Sequence, residues 1–217
     1  MSKLKKFLNI KIDLSKKVFI PEVETKYWAK KAIKEIQNFS KKNPSSKIKI
    51  LDIFAGSGFI GISILKNVKD SFVDFADIDD NAISQIKINL KLNKISSKRY
   101  KVIKSDIFSN LPKKKYNFIL ANPPYVALKN IKEVQRSVLE KDPFISLFSG
   151  KDGLNHIRIF LRNLKKFLKK DGICFMEFDP RQVKEISKIL SSQNLGFEIK
   201  KDQFHLDRYV IIKNNKK

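Results

Sequence analysis

The run Tyr116-Asn117-Phe118-Ile119-Leu120-Ala121 is closed by Asn122-Pro123-Pro124-Tyr125. A short stretch so rich in apolar and aromatic side chains forms a buried strand. Two prolines end it, because proline has no N–H to donate and holds the residue before it in extended geometry. The chain therefore turns at Asn122. In an open α/β sheet, ligands bind in the crevice outside the carboxyl ends of the strands, and a side chain placed there projects into it. Taken alone, the tetrapeptide serves equally well as a plain turn.

What precedes it decides between turn and site. Ile48 to Phe54 reads as a strand, and Ala55-Gly56-Ser57-Gly58 follows at once, with an apolar helical segment from Phe59 to Leu65. Glycines in a strand-to-helix turn let the backbone approach a ligand that a side chain would block. No Gly-Lys-Ser/Thr follows, which excludes a phosphate loop. The dinucleotide spacing is met only by counting Gly61, a residue that serves equally to pack helix on strand. The next strand, Ser71 to Ala76, ends in Asp77-Ile78-Asp79-Asp80. A carboxylate there accepts hydrogen bonds from both hydroxyls of a ribose, so Asp77 is assigned to ligand and Asp79 or Asp80 to capping the helix Asn81 to Leu92. A third strand, Tyr100 to Lys104, ends in Ser105-Asp106-Ile107-Phe108, where an acid beside apolar residues suits the amine edge and face of an adenine. A loop Asp beside core residues is the plainer alternative. With Asn122 added, four strand ends on one edge make a pocket.

The flanks complete a single α/β domain. Ile10, Ile12 and Leu14 alternate with polar residues and predict a small hairpin with Val18-Phe19-Ile20, and helical spacing from Thr25 to Phe39 predicts an amphipathic helix. After Tyr125, helices are expected over Ile131 to Leu139, Leu154 to Leu168 and from Pro180 to about Leu190, the last capped by Asp179. A turn at Lys169-Lys170-Asp171-Gly172 precedes the strand Ile173 to Phe178. Phe197 to Ile199 and Tyr209 to Ile212 close the sheet as an antiparallel pair. The expected fold is a Rossmann-like, seven-stranded, mostly parallel sheet with an antiparallel terminal pair, preceded by a β-hairpin. The boundaries are 1–24 for hairpin and lead-in, 25–213 for the main α/β domain and 214–217 for a basic tail.

Composition narrows the setting. A formal net charge of +24 over 217 residues favours nonspecific contact with nucleic acid or ribosomes through a basic surface. The cations are mostly Lys spread along the whole chain, whereas a patch built to read phosphates is Arg-rich and clustered. No apolar run is long enough to span a bilayer and no signal-peptide core follows Met1, so a cytoplasmic protein without membrane contact is expected. Cys174 lies in an apolar run and reads as core; His156 and His205 have no catalytic context, and no metal site is expected.

This order of elements resembles the class I S-adenosylmethionine-dependent methyltransferases. Within them, Asn122-Pro123-Pro124-Tyr125 is similar to the signature of enzymes that methylate a planar nitrogen, either a glutamine side chain or an exocyclic amine of a base. Ile20-Pro21 with Glu24-Thr25, Asp142-Pro143, Gly150-Lys151-Asp152-Gly153-Leu154, Glu177 with Gln182, and Asp207-Arg208 resemble landmarks of the HemK/PrmC family, which methylates the glutamine of the Gly-Gly-Gln loop in peptide chain release factors. The resemblance runs from Phe7 to Ile212. It implies that Phe54, Ala55, Gly56, Ser57 and Gly58 face the methionine part of S-adenosyl-L-methionine, that Asp77 binds its ribose, and that Asp106 with Ile107 binds its adenine. It further implies that Asn122, Pro123, Pro124 and Tyr125 form the catalytic corner, in which Asn122 and the Pro123 carbonyl accept the hydrogens of the target –NH2 and Tyr125 helps to wall the slot. Methylation of an RNA or DNA base, and a non-catalytic module that binds a release factor or ribosome, are the alternatives. The chain departs from the family in having Glu22-Val23 where Arg-Pro is usual, Phe54 at the first loop glycine, and Asp142 in place of Glu. The usual helical domain before the hairpin is not seen.

Overall fold

The computed structural model describes residues 4–44, 46–134 and 136–214. Five parallel strands, β3 (Ile48–Ile53), β4 (Ser71–Asp77), β5 (Tyr100–Lys104), β6 (Tyr116–Ala121) and β7 (Leu168–Glu177), are extended by β8 (Gly196–Lys201) and β9 (Asp207–Lys213), with β9 antiparallel to both β7 and β8. The order in the seven-stranded sheet is β5-β4-β3-β6-β7-β9-β8. The chain winds outward from β3 through β4 to β5, then returns to lay β6 on the other side of β3. That reversal opens a crevice between the carboxyl ends of β3 and β6. The glycine turn and Asn122-Pro123-Pro124-Tyr125 flank it.

Alternation along each strand builds two cores. Phe118 and Leu120 point to one face, Ile119 and Ala121 to the other, and all four are almost fully buried. The first face is covered by α1 (Val23–Lys42), α2 (Phe59–Asn67) and α3 (Asp80–Leu92), which contribute Trp28, Ile36, Ile62, Leu65, Ile86 and Leu90. The second is covered by two later helices spanning Asn155–Phe167 and Val183–Ser192, through Ile157, Leu161, Leu164, Ile186 and Leu190. The helix expected from Pro180 begins as a 3-10 turn, Pro180–Gln182, leading into Val183–Ser192, and it is this turn that is capped by Asp179. Its Oδ1 accepts from the Arg181 N–H at 2.9 Å while Gln182 reaches back to the Asp179 N–H.

Three local expectations change. The hairpin pairs β1 (Leu4–Phe7) with β2 (Ile10–Asp13) around a turn at Leu8 and Asn9, and Val18 to Ile20 is not a strand. The far side of β2 is already occupied. Gln85, Asn89 and Asn93, one helical turn apart on α3, present side-chain amides to the lead-in: Asn93 Oδ1 accepts from Lys11 N–H at 3.1 Å, Asn89 Oδ1 from Asp13 N–H at 2.8 Å, and Gln85 Oε1 from Lys16 N–H at 2.8 Å. Asn93 and Asn89 also donate to the carbonyls of Lys11 and Asp13. A helix face here does the work of a neighbouring strand. Second, the turn at 169–172 is a bulge inside β7, because Tyr116 pairs with Leu168 but Phe118 with Ile173.

Third, the helix expected over Ile131 to Leu139 is divided. A 3-10 turn spans Leu128–Glu133, and α4 (Arg136–Lys141) and α5 (Phe144–Leu147) follow, with Gln135 outside the described residues. The segment is bent because it pairs with itself: Val126 N–H donates to Leu147 O and Ser149 N–H to Val126 O, drawing 126–150 into a compact flap over the crevice. We label the two later helices α6 (Asn155–Phe167) and α7 (Val183–Ser192). Of the expected basic tail 214–217, only Asn214 lies among the described residues; its side chain bonds the carbonyls of Leu168 and Lys169.

Gly61 sits where α2 crosses the sheet. A Cβ there would come within 2.4 Å of Phe75 Cε1 and 2.9 Å of Asp52 Oδ2, so the residue sets the helix-to-sheet distance. Gly61→Ala is expected to lower stability by about 1–3 kcal/mol despite the better helix propensity of alanine. Urea unfolding measures this, and a stabilised variant would contradict the packing account.

Candidate active site

The turn after β3 is held by its neighbour. Ala55 N–H continues the ladder to Ala76 O at 3.1 Å, and Gly56 N–H donates to Asp77 Oδ2 at 2.8 Å. Gly56 has φ +54, and a Cβ placed on it would meet only Phe19, at 3.9 Å, so it opens onto free space. Phe54, at φ +57, adopts a left-handed conformation that costs a non-glycine residue about 1–2 kcal/mol. Its ring lies edge-on to Phe160 and His156, with centroids 6.0 and 6.4 Å away. Strain of this kind gathers at functional sites, where the surrounding structure over-determines it.

A cavity of about 360 Å³ lies above these strand ends, within the range of small-ligand sites. Phe54, Gly56, Asp77, Asp106, Ile107, Asn122, Pro123, Pro124 and Tyr125 all line it. Ala55, Ser57 and Gly58 stand behind the wall: Ser57 is fully buried and its carbonyl accepts from Asn89 Nδ2. Asp77 binds Gly56 N–H with one oxygen and Asp79 N–H with the other. Burial raises its pKa, and those two donors oppose the rise. Asp79 is the N-cap of α3, accepting from Asn81 N–H at 2.9 Å, as one of the two alternatives expected, and Asp80 pairs with Lys104 at 2.7 Å. Asp106 and Ile107 follow Ser105, whose hydroxyl bonds Ile107 O at 3.0 Å and shapes the turn.

Around Asn122 the sequence landmarks become one structure. Asn122 Nδ2 donates to Thr25 Oγ1 at 3.4 Å, which leaves its amide oxygen without a partner among the described residues. Thr25 Oγ1 and Trp28 Nε1 donate to Glu177 Oε2, and Tyr125 OH donates to Glu177 Oε1 at 3.1 Å. Glu177 is fully buried, which raises its pKa, while these three donors and Arg208 act to lower it. Gln182 Nε2 donates to Tyr125 O at 2.9 Å, and a Cβ on Gly153 would fall 2.1 Å from that same carbonyl. Asp142 accepts from Ile20 N–H at 3.0 Å, fastening the lead-in to the flap. Residues scattered over the sequence thus serve one purpose, fixing the tetrapeptide.

Two residues on the cavity wall were not foreseen as site residues. His156, at the start of α6, faces the cavity; burial lowers its pKa and its Nδ1 lies 2.8 Å from Ser149 Oγ. Glu22 also lines it, crowded by protein atoms and by the charges of Glu177, Glu24 and Asp142, which push its carboxyl up to about 7. Nothing in local periodicity marks either residue. His205 lies instead in the β8–β9 turn, away from the cavity. Among the described residues no helix is long and apolar enough to cross a membrane.

The wall suits an adenosyl sulfonium. Its charged side chains are acids, Glu22, Asp77, Asp79 and Asp106, and neither Lys nor Arg appears among the described residues that line it. Comparison with known proteins agrees in kind. A family model for the methyltransferase small domain matches residues 36–143. The chain is 31% identical over 212 residues to a release factor glutamine methyltransferase of Thermodesulfovibrio yellowstonii, covering 97% of this chain and 74% of that protein. It is 30% identical over 210 residues to the protein of the same name from Clostridium acetobutylicum, covering 94% and 70%. A bifunctional methyltransferase of Rickettsia bellii is 34% identical over 167 residues, and the match spans only 29% of that longer protein. Among solved structures, the N-terminal domain of human METTL16 in complex with SAH superposes with a TM-score of 0.65 at 17% identity, covering 96% of this chain and 76% of that one. The ribosomal protein L11 methylase of Lactobacillus delbrueckii subsp. bulgaricus gives 0.64 at 17%, covering 95% and 84%. At such identities the two structures speak for the fold, that of the class I methyltransferases.

Beneath the glycine turn, Asp52 on β3 is 1% exposed; its Oδ2 accepts from Gly61 N–H at 2.8 Å and its Oδ1 has no partner. Burial pushes it up from 3.8 to about 8, so the folded chain keeps a proton that the unfolded chain releases. Stability contributed by that proton is complete below the unfolded pKa and is lost as pH rises towards 8, at up to about 1.4 kcal/mol per pH unit. Asp52→Asn should remove this slope, so the variant gains on the wild type between about pH 5 and pH 8 in denaturant unfolding. Parallel curves would show that Asp52 is charged in the fold.

Proposed function

Because the chain belongs to the release factor glutamine methyltransferase family, we propose that it methylates the N5 side-chain nitrogen of the glutamine in the Gly-Gly-Gln motif of peptide chain release factors, using S-adenosyl-L-methionine. The observation that carries this reading is the free Asn122 amide oxygen, set beside Pro123 at a strand end on the wall of an acid-lined cavity. We also read 25–213 as the methyltransferase domain and 1–24 as its lead-in.

S-adenosyl-L-methionine, when bound, supplies an electrophilic methyl group on a sulfonium. Asp77 is suited to its ribose hydroxyls, Asp106 and Ile107 to its adenine, and Phe54 with Gly56 to the wall beside its methionine part. A primary amide nitrogen is a feeble nucleophile because its lone pair is delocalised into the carbonyl. Asn122 Oδ1 and the Pro123 carbonyl accept its two hydrogens, fix its orientation and stabilise the positive charge that grows on it. Thr25 holds the other end of the Asn122 amide, which selects the oxygen as the end offered to substrate. Tyr125, tied to Glu177 through its hydroxyl and to Gln182 through its carbonyl, keeps the slot closed on one side.

The net charge of +24 favours the second reading, methylation of an exocyclic amine in RNA or DNA. The cavity wall opposes it, since a row of carboxylates repels a phosphate backbone and leaves a neutral amide unaffected. Labelled methyl donor incubated with a release factor, with its loop Gln→Ala variant and with total RNA separates these readings. Label in the intact factor alone is expected; label in RNA sinks the proposal, and donor binding without transfer anywhere favours a non-catalytic module. Asn122→Ala should lower transfer by about 100- to 1,000-fold with donor binding retained in calorimetry, and equal loss of both would remove the role given to Asn122.

A further inference from the structure

Glu22 occupies the N-cap position of α1, where a polar side chain ordinarily accepts a backbone N–H, yet it makes no capping bond. Three acids of the site are engaged. Glu177 takes Thr25, Trp28 and Tyr125; Asp142 takes Ile20 N–H; Asp77 takes Gly56 and Asp79 N–H. Glu22, by contrast, has no side-chain hydrogen bond among the described residues; it lines the same cavity as Asn122, Pro123 and Tyr125 and is itself exposed to solvent.

We propose that Glu22 is the carboxylate that offsets the positive charge developing on the accepting nitrogen and then takes its proton. The inference rests on the methyl transfer proposed above. The nitrogen lone pair forms the new N–C bond as the S–C bond of the sulfonium donor breaks and its electron pair returns to sulfur. The nitrogen then carries one proton too many, which passes to a Glu22 oxygen and from there to bulk water. The groups facing Glu22 from each packed element suit it to this work. Desolvation by the surrounding protein raises its pKa most, the charges of Glu177 on β7, Glu24 on α1 and Asp142 after α4 raise it further, Arg208 on β9 lowers it, and the balance lies at about 7. An acceptor poised there is ionised at neutral pH yet still basic enough to hold the proton.

The test compares the wild type with Glu22→Gln and Glu22→Asp. In protein labelled with carbon-13 at the Glu carboxyls, one resonance should titrate near 7, far from the ordinary 4.5, and vanish in Glu22→Gln. Single-turnover methylation of a release factor by the wild type should rise about tenfold per pH unit and level off near 7. Glu22→Gln should lose that inflection and about 100-fold of the plateau rate, with donor binding unchanged in calorimetry, and Glu22→Asp should recover part of both. Wild-type rate and inflection in Glu22→Gln overturn the inference while leaving the function standing, as does a carboxyl that titrates at its ordinary value. A wild type that binds donor but methylates no release factor overturns the function and this inference with it.

Discussion

A buried carboxylate holds the site together. Glu177 ends the interior strand β7 with no exposed surface, and isolated ionised carboxylates are costly to bury. The chain meets that cost by aiming three donors at it, two from α1 and one from the Tyr125 hydroxyl. Removing one donor of such a set leaves the carboxylate short of a partner, at a cost of about 1–3 kcal/mol, against about 0–1 kcal/mol for an exposed ion pair. The geometry of α1, of the tetrapeptide and of β7 is therefore fixed in one place. Arg208 supports it from β9, itself held by Asp202, a pair with almost no solvent access on the acid side.

Polarity is distributed unevenly. The chain is strongly cationic as a whole, while the charged side chains on its cavity wall are acids. A field of this shape is positive at a distance and negative at close range. It brings acidic partners to the surface and accepts neutral or cationic groups into the cavity. Net charge alone does not describe the cavity, whose charged side chains carry the opposite sign.

The central sheet was legible in the sequence because its signals are local. Apolar runs closed by glycine, acid or proline gave β3 to β6 their bounds within a residue, and the strand ends converge on one cavity as expected from their order. The errors lie where distant segments decide. Val18 to Ile20 has the composition of a strand, but β2 already pairs with β1 on one side and with α3 amides on the other, and amide side chains on a helix leave no periodic trace. The helix after Tyr125 divides because 126 and 147–149 pair across twenty residues of chain. His156 and Glu22 reach the cavity only through the tertiary fold, the first from a helix start and the second from a cap position that does not cap.

The amide ladder on α3 reaches further than the lead-in. Asn89 bonds both backbone groups of Asp13 and also donates from the same side chain to Ser57 O in the glycine turn. One buried amide thus joins the end of β2 to the loop behind the cavity wall. The hairpin and the loop cannot open separately without stranding that amide, so they form a single cooperative unit with a shared opening free energy. Ligand bound at the loop would then slow the opening of a hairpin that it never touches.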